Sequence, residues 1–169
     1  MDLSKHLEKA KEAVKRRNYP FAINLYSQLL GLQPDNGAAR SGLREALFKK
    51  AEAKPPSKLF AMIGGGPSLL LAKLFGLIRQ HNAAASNYER YLRMDPLSES
   101  VNVSLATSLD RAGHSNSALA VYQAYARQEP RCLVASREAG RLLYEAGKLD
   151  DALEMYEQAL KVEDRKSVV

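Results

Sequence analysis

The stretch Gly140-Arg141-Leu142-Leu143-Tyr144-Glu145-Ala146-Gly147-Lys148-Leu149-Asp150-Asp151-Ala152-Leu153-Glu154-Met155-Tyr156 reads as two helices joined by a tight turn at Gly147. It is one copy of a period. Ala84, Ala118 and Ala152 are spaced by 34 residues, and Tyr88, Tyr122 and Tyr156 each follow four residues later. Pro96 and Pro130 keep the same phase, with Asp164 in the third place. Upstream, Ala22, Tyr26 and Pro34 repeat the offsets of Ala84, Tyr88 and Pro96. Four of the eight tyrosines thus share one position of a repeat, and a period of this length means stacked helical hairpins.

Each residue type has a mechanical reason for its place. Small residues recur twelve positions before the marker alanine, as Ala10, Ala72, Ala106 and Gly140. Facing the alanine across a hairpin, they let two helices approach near the short end of the roughly 8–10 Å range. The tyrosine is large enough to fill the space toward the next hairpin. The proline stops the second helix because its ring cannot continue the hydrogen-bond ladder.

Composition fits such a chain. It has 169 residues, 46% hydrophobic, which suffices for a buried core, and a balanced 26% charge that excludes a disordered tail. Its single cysteine, Cys132, excludes an internal disulfide framework and a Cys-based zinc site and suits a reducing compartment. The opening Met1–His6 carries an early acid and no apolar segment of signal-peptide length, so a cytoplasmic location is expected. The net charge of +6 is uneven: residues 1–60 hold 12 basic and 6 acidic residues, and residues 61–169 hold 13 of each.

Small residue, turn glycine, alanine, aromatic and proline at these phases resemble the tetratricopeptide repeat family, best in Asn102–Pro130 and Ser136–Asp164. The resemblance covers about four-fifths of the chain, with repeats at 3–36, 65–98, 99–132 and 133–166. It implies an all-α, right-handed solenoid acting as a non-enzymatic protein-interaction scaffold. The chain departs from the pattern at Arg17, where a turn glycine is usual, and at Tyr91 and Tyr125, where a second small residue is expected. Residues 37–64 are too short for a repeat and read as a degenerate hairpin, with one helix over 38–53 and a short second one over 59–63. A bend or altered packing is expected there.

The resemblance also implies that the first helices line a concave groove receiving Leu69, Leu70, Lys73 and Leu77, then Thr107 and Arg111, then Arg137, Arg141 and Tyr144. Guanidinium groups beside an apolar wall suit a protein or peptide partner carrying carboxylates. The family's carboxylate clamp for chaperone tails needs Lys and Asn where this chain has Leu69, Ser104, Val134 and Glu138, so that ligand is not expected.

Other constellations carry less. The histidines His6, His81 and His114 lack partners at metal-ligand or catalytic spacing, so neither enzyme chemistry, a metal nor a cofactor is expected. Gly64-Gly65-Gly66-Pro67-Ser68 lacks the Gly-Lys-Ser/Thr ending of a phosphate loop and reads as a linker starting a helix near Ser68. The basic start, Lys5 to Arg17, is interrupted by Glu8 and Glu12 without interleaved aromatics, which argues against nucleic acid. Leu59–Ile78 has 13 apolar residues in 20, but the glycine-proline break argues against a membrane span.

Ser68–Ile78 is apolar nearly all round, so a helix there needs cover on two sides. Either residues 37–63 fold back over it, or it docks a partner, a second copy or a membrane surface. The last repeat poses the same question at Leu153, Tyr156 and Leu160, which need further chain or another molecule against them. A self-assembling or membrane-peripheral adaptor, using the apolar helix 68–78 and the basic N-terminal helix, is the competing class.

Overall fold

The computed structural model describes residues 3–167, and for 58–62 and 164–167 the backbone alone. Nine helices and no strand are found among them: α1 (Leu3–Lys15), α2 (Tyr19–Leu32), α3 (Gly37–Ala53), α4 (Lys58–Leu77), α5 (His81–Leu92), α6 (Glu99–Arg111), α7 (Ser115–Gln128), α8 (Leu133–Glu145) and α9 (Leu149–Ser167). The hairpins are α1–α2, α4–α5, α6–α7 and α8–α9, and α5 packs on α6 and α7 on α8, making an all-α solenoid.

The four hairpin turns are one turn repeated. Each has a left-handed residue, at Arg17 (φ 59°), Arg79 (φ 60°), Gly113 (φ 83°) and Gly147 (φ 73°). After each, a backbone N–H reaches back five residues: Asn18 to Ala13, Gln80 to Phe75, His114 to Leu109 and Lys148 to Leu143, at 2.8–2.9 Å. This closure satisfies a carbonyl that the helix end leaves open. Glycine enters it without strain, whereas the two arginines carry a Cβ penalty. Two helices, α2 and α3, are capped by their own N-cap side chains. Asn36 accepts from Ala39 N–H at 2.9 Å to start α3, and Asn18 does so for α2, where Pro20 occupies the first turn.

Small residues do admit the helices to close contact. A Cβ added at Gly140 would lie 2.8 Å from the Tyr156 ring. Tyr26 meets Gly42 of the following helix in the same manner. Around these contacts lie two cores. One joins α1, α2 and the first part of α3, through Leu29, Leu43 and Leu47; the other runs from α4 to α8, through Ala72, Leu92, Leu105 and Leu142. Full burial of such a leucine stabilises by about 1.5–3 kcal/mol.

Two features differ from the sequence expectations. First, the expected short helix 59–63 and the Gly64–Pro67 linker are both part of α4, which runs unbroken from Lys58 to Leu77, and Ser68 lies in its interior rather than at its cap. Gly66 has no Cβ to clash with the Pro67 ring. Gly65 is there for packing, since a Cβ would stand 2.7 Å from the Tyr91 ring of α5. Second, α3 does not fold back over α4. It packs on α7, so residues 37–53 leave the apolar helix uncovered. Cys132, between two repeats, is buried at the N-cap of α8, where burial pushes its thiol pKa up.

The α3–α7 junction is polar and specific. Asp35 accepts from the Ser117 backbone N–H and from Asn116 Nδ2, both at 2.8 Å, so a carboxylate from another hairpin caps α7, whose own N-cap residue His114 makes no cap bond. Ser117 Oγ donates to the Pro34 carbonyl at 2.8 Å. Beyond these, Phe48 of α3 enters the second core beside Tyr125, ring centroids 6.4 Å apart.

Candidate interaction surfaces

The first helices α4, α6 and α8 set the residues expected to line a groove in register: Lys73, Thr107 and Arg141 are spaced by the repeat, as are Leu77 and Arg111. On α4, Leu70 and Leu77 are 71% and 82% exposed, Lys73 is exposed, and Leu69 is half-buried against the core. Arg111 and Arg137 are exposed, and Tyr144 presents most of its ring to solvent. Thr107 is not a free contact: its Oγ1 lies 2.9 Å from the Val103 carbonyl and 2.9 Å from the Tyr122 hydroxyl, tying α6 to α7.

On α8 the charge is already paired. Arg141 donates to Glu138 on its own helix (2.9 Å), to Glu145 one turn on (2.7 Å) and across to Asp110 of α6 (2.6 Å). Hydrogen bonds to Glu138 and Glu145 raise its pKa further still. Arg137 Nε stands 3.4 Å from Glu138. The wall of α6 and α8 therefore alternates Asp110, Arg111, Arg137, Glu138, Arg141 and Glu145 with no net charge. This corrects the expectation of a locally basic groove with Arg141 as an open guanidinium. Arg111 makes no ion pair among the described residues.

The period identifies a second surface that groove phasing missed. Pro67, Leu71 and Leu74 of α4 correspond, by steps of 34, to Val101, Leu105 and Ser108 in α6 and to Ala135, Ala139 and Leu142 in α8. All six counterparts are buried, whereas Leu71 and Leu74 are 42% and 52% exposed. The reason is topological: the preceding second helix covers α6 and α8, but α3 has gone to α7. In α1 the same positions are Lys5, Lys9 and Glu12, a charged face suited to water.

A third cluster lies where α3 meets α5 and α6. Arg40 and Arg44 are both buried, and one carboxylate, Glu89 of α5, serves both: Arg40 pairs with it directly, and Arg44 Nη2 stands 3.8 Å away. Arg44 also donates to Asn102 Oδ1 at 3.4 Å, and burial lowers its pKa to about 10 against the pull of Glu89. Beside it a cleft of about 520 Å³ opens between α2 and α5, bridged by a 2.9 Å hydrogen bond from Arg93 to Ser27 Oγ. No sequence signal marked these arginines: the reading of this helix rested on its apolar positions Leu43, Ala46, Leu47 and Ala51, and the carboxylate they meet lies on another hairpin.

Among the described residues no three His, Cys, Asp or Glu side chains converge as a metal site would need, and His114 Nε2 meets Asn82 Oδ1 at 2.9 Å. Among the described residues, no helix is long and apolar enough to cross a membrane.

Comparison with known proteins agrees with this architecture. A search of curated proteins finds no match. Among solved structures, the crystal structure of MamA is similar at 18% identity and a TM-score of 0.59, covering 95% of this chain and 97% of that one. YrrB, described as a TPR protein with an unusual peptide-binding site, is similar at 17% identity and a TM-score of 0.54, covering 94% and 85%. At these identities the likeness is one of fold. The tetratricopeptide repeat model matches residues 7–53 and 103–167, about two thirds of the sequence, and the chain belongs to the tetratricopeptide repeat family.

Proposed function

We propose that this protein-interaction scaffold, without enzymatic activity of its own, captures a peptide or helix on the concave layer of α4, α6 and α8. The observation that carries the reading is the row of exposed side chains on one register of the repeat, from Leu70 and Leu77 through Arg111 to Tyr144. A partner helix or extended segment gains most of its affinity by covering Leu70, Leu77 and Tyr144, in the manner of apolar anchors in a groove. Lys73, Arg111 and Arg137 supply contacts for acidic side chains around that anchor. Leu69 and Thr107 hold the wall in place, and Arg141 orders it by bridging α6 and α8. YrrB, of the same fold, offers a precedent for peptide binding. Nothing in this reading needs a cofactor, and we place its action in the cytoplasm.

The test is a pull-down from lysate comparing the wild type with Leu70→Ser/Leu77→Ser and with Arg111→Glu/Arg137→Glu, followed by titration of the captured partner. Loss of capture with both variants supports the groove. Unchanged capture with both places the interface elsewhere. Because Arg141 is already paired, its reversal weakens the wall rather than a free contact, so binding and helicity are expected to fall together. A second reading, self-association or attachment to a membrane surface, is favoured by a different observation: the uncovered Leu71 and Leu74 of α4.

A further inference from the structure

The solenoid leaves two apolar faces uncovered, one on α4 and one on α9. On α4 it is the entering face, Pro67, Leu71 and Leu74, whose counterparts in α6 and α8 are buried by the second helix of the preceding hairpin. On α9 it is the leaving face. Leu153 and Leu160 correspond, in steps of 34, to Leu119 and Ala126 of α7 and to Ala85 and Leu92 of α5. Those four are buried or half-buried, yet Leu153 and Leu160 are 59% and 58% exposed. Inside the chain such faces meet each other: α5 lies on α6, and α7 lies on α8.

Charge selects the pairing. The α9 sequence carries six acidic and three basic residues, with Asp150, Asp151, Glu154 and Glu157 all exposed. The α4 sequence has Lys58 and Lys73 and no acid, and exposed Arg79 follows it. Two α4 helices brought together would set two basic segments side by side, whereas α9 against α4 sets an acidic segment against a basic one.

We propose that a second copy of this chain is the occupant: α9 of one molecule stacks on the α4 face of the next, continuing the solenoid across molecules as α5 on α6 does within one. The contact is heterologous, with a different surface from each partner, so each added copy leaves one α4 face and one α9 face open. This rests on the self-association reading and is independent of peptide capture. Leu71 and Leu74 point to the stacking side, and Leu70 and Leu77 to the groove.

Sedimentation of the full chain over a concentration series tests it. The expected result is a mass that grows past the dimer with concentration and shrinks as salt is added. Leu71→Asp/Leu74→Asp blocks one face and Leu153→Glu/Leu160→Glu the other, so each variant alone is a monomer. Mixed, the two form a one-to-one dimer and nothing larger, because one intact face of each kind remains. A wild type that stays monomeric at every concentration overturns the proposal. So does a mixture that stays monomeric, or an α9 variant that still self-associates, which would mean α4 pairs with α4. Helicity and urea midpoint check folding, with the milder Leu→Ser pairs at the same positions used if either charged variant unfolds. Arg111→Glu/Arg137→Glu leaves assembly intact, so failure of peptide capture and failure of stacking are read separately.

Discussion

Replacing Glu89 by Gln tests what holds α3 against the body of the solenoid. Arg40 and Arg44 are buried with Glu89 as their shared carboxylate, and Arg44 Nε and Nη2 have no hydrogen-bond partner. Gln fills the same volume and keeps a carbonyl acceptor, so the change removes charge and little else. Two guanidinium groups then remain in a region of low dielectric without an anion. Removing one partner of a buried ion pair costs about 3–5 kcal/mol, and here the deficit falls on two cations at once. Against a domain stability of about 5–15 kcal/mol, that is enough to loosen the junction. Urea unfolding followed by far-UV circular dichroism should show a loss of at least about 3 kcal/mol. Hydrogen exchange should speed up in α3 and in the first turn of α7, where the Ser117 amide is bonded to Asp35. The triple change Arg40→Met, Arg44→Met, Glu89→Leu should recover stability to within about 1 kcal/mol of wild type or better, since apolar replacement of a whole buried charge cluster is often neutral. A loss below about 1 kcal/mol in Glu89→Gln, with exchange in α3 unchanged, would refute the electrostatic account and leave Phe48 and the Asp35 cap as the holding contacts.

Other consequences follow from single positions. Arg79→Gly removes a Cβ from a left-handed residue, and a gain of about 0.5–1 kcal/mol in urea unfolding is expected after the entropy of glycine is offset; Gly147→Ala should lose a similar amount. Gly140→Ala drives a methyl into the Tyr156 ring and should cost about 1–3 kcal/mol, partly relieved by Tyr156→Leu. Stability should fall above pH 10. Burial pushes Tyr26 up to about 12 and also raises Tyr91, Tyr122 and Tyr125, so the folded chain keeps phenolic protons that the unfolded chain loses from pH 10 upward. Their contribution is complete below pH 10 and is lost as pH rises through the folded values, up to about 12 for Tyr26. Arg44, lowered to about 10, acts in the opposite direction, one group against four. Urea midpoints measured from pH 8 to 11 check the sign, and Tyr125→Phe should flatten the decline.

The elements that repeat were legible because their residues answer to local rules. The marker alanines, the small residues at Ala10, Ala72, Ala106 and Gly140, and the turn at Gly113 and Gly147 encode a hairpin whatever lies around it. Arg17 looked like a departure from the turn and proved to be the same turn at a higher conformational cost, because the backbone closure does not depend on the side chain. The glycine run before Pro67 was misread because glycine signals a break only where nothing packs closely. Gly65 lies under Tyr91, and that approach favours a continuous helix. Phase gives which residues share a register on α4, α6 and α8, but not their ion-pair partners: Arg141 meets Asp110 of another helix, 31 residues away, and no spacing rule announces that pair.

The position of α3 is where local reading stops being sufficient. Its pattern permits packing on whichever apolar face is available, and α4 is the next helix in sequence. What decides the outcome is non-local: Asp35 can cap α7, Glu89 can receive two arginines, and Phe48 can enter the core beside Tyr125, all only if α3 lies across α7. Taking α3 there satisfies buried polar groups and an aromatic side chain at the junction, and it strips α4 of the helix that would have covered Leu71 and Leu74. The exposed face is thus a consequence of the junction's chemistry rather than a flaw in the repeat. Anything that binds α4 where a preceding helix would lie competes with no contact that α3 makes. Weakening the junction through Glu89 should therefore leave stacking between copies in place unless released α3 moves onto α4. In that case self-association falls as α3 exchange rises, and the two measurements on one variant distinguish the cases.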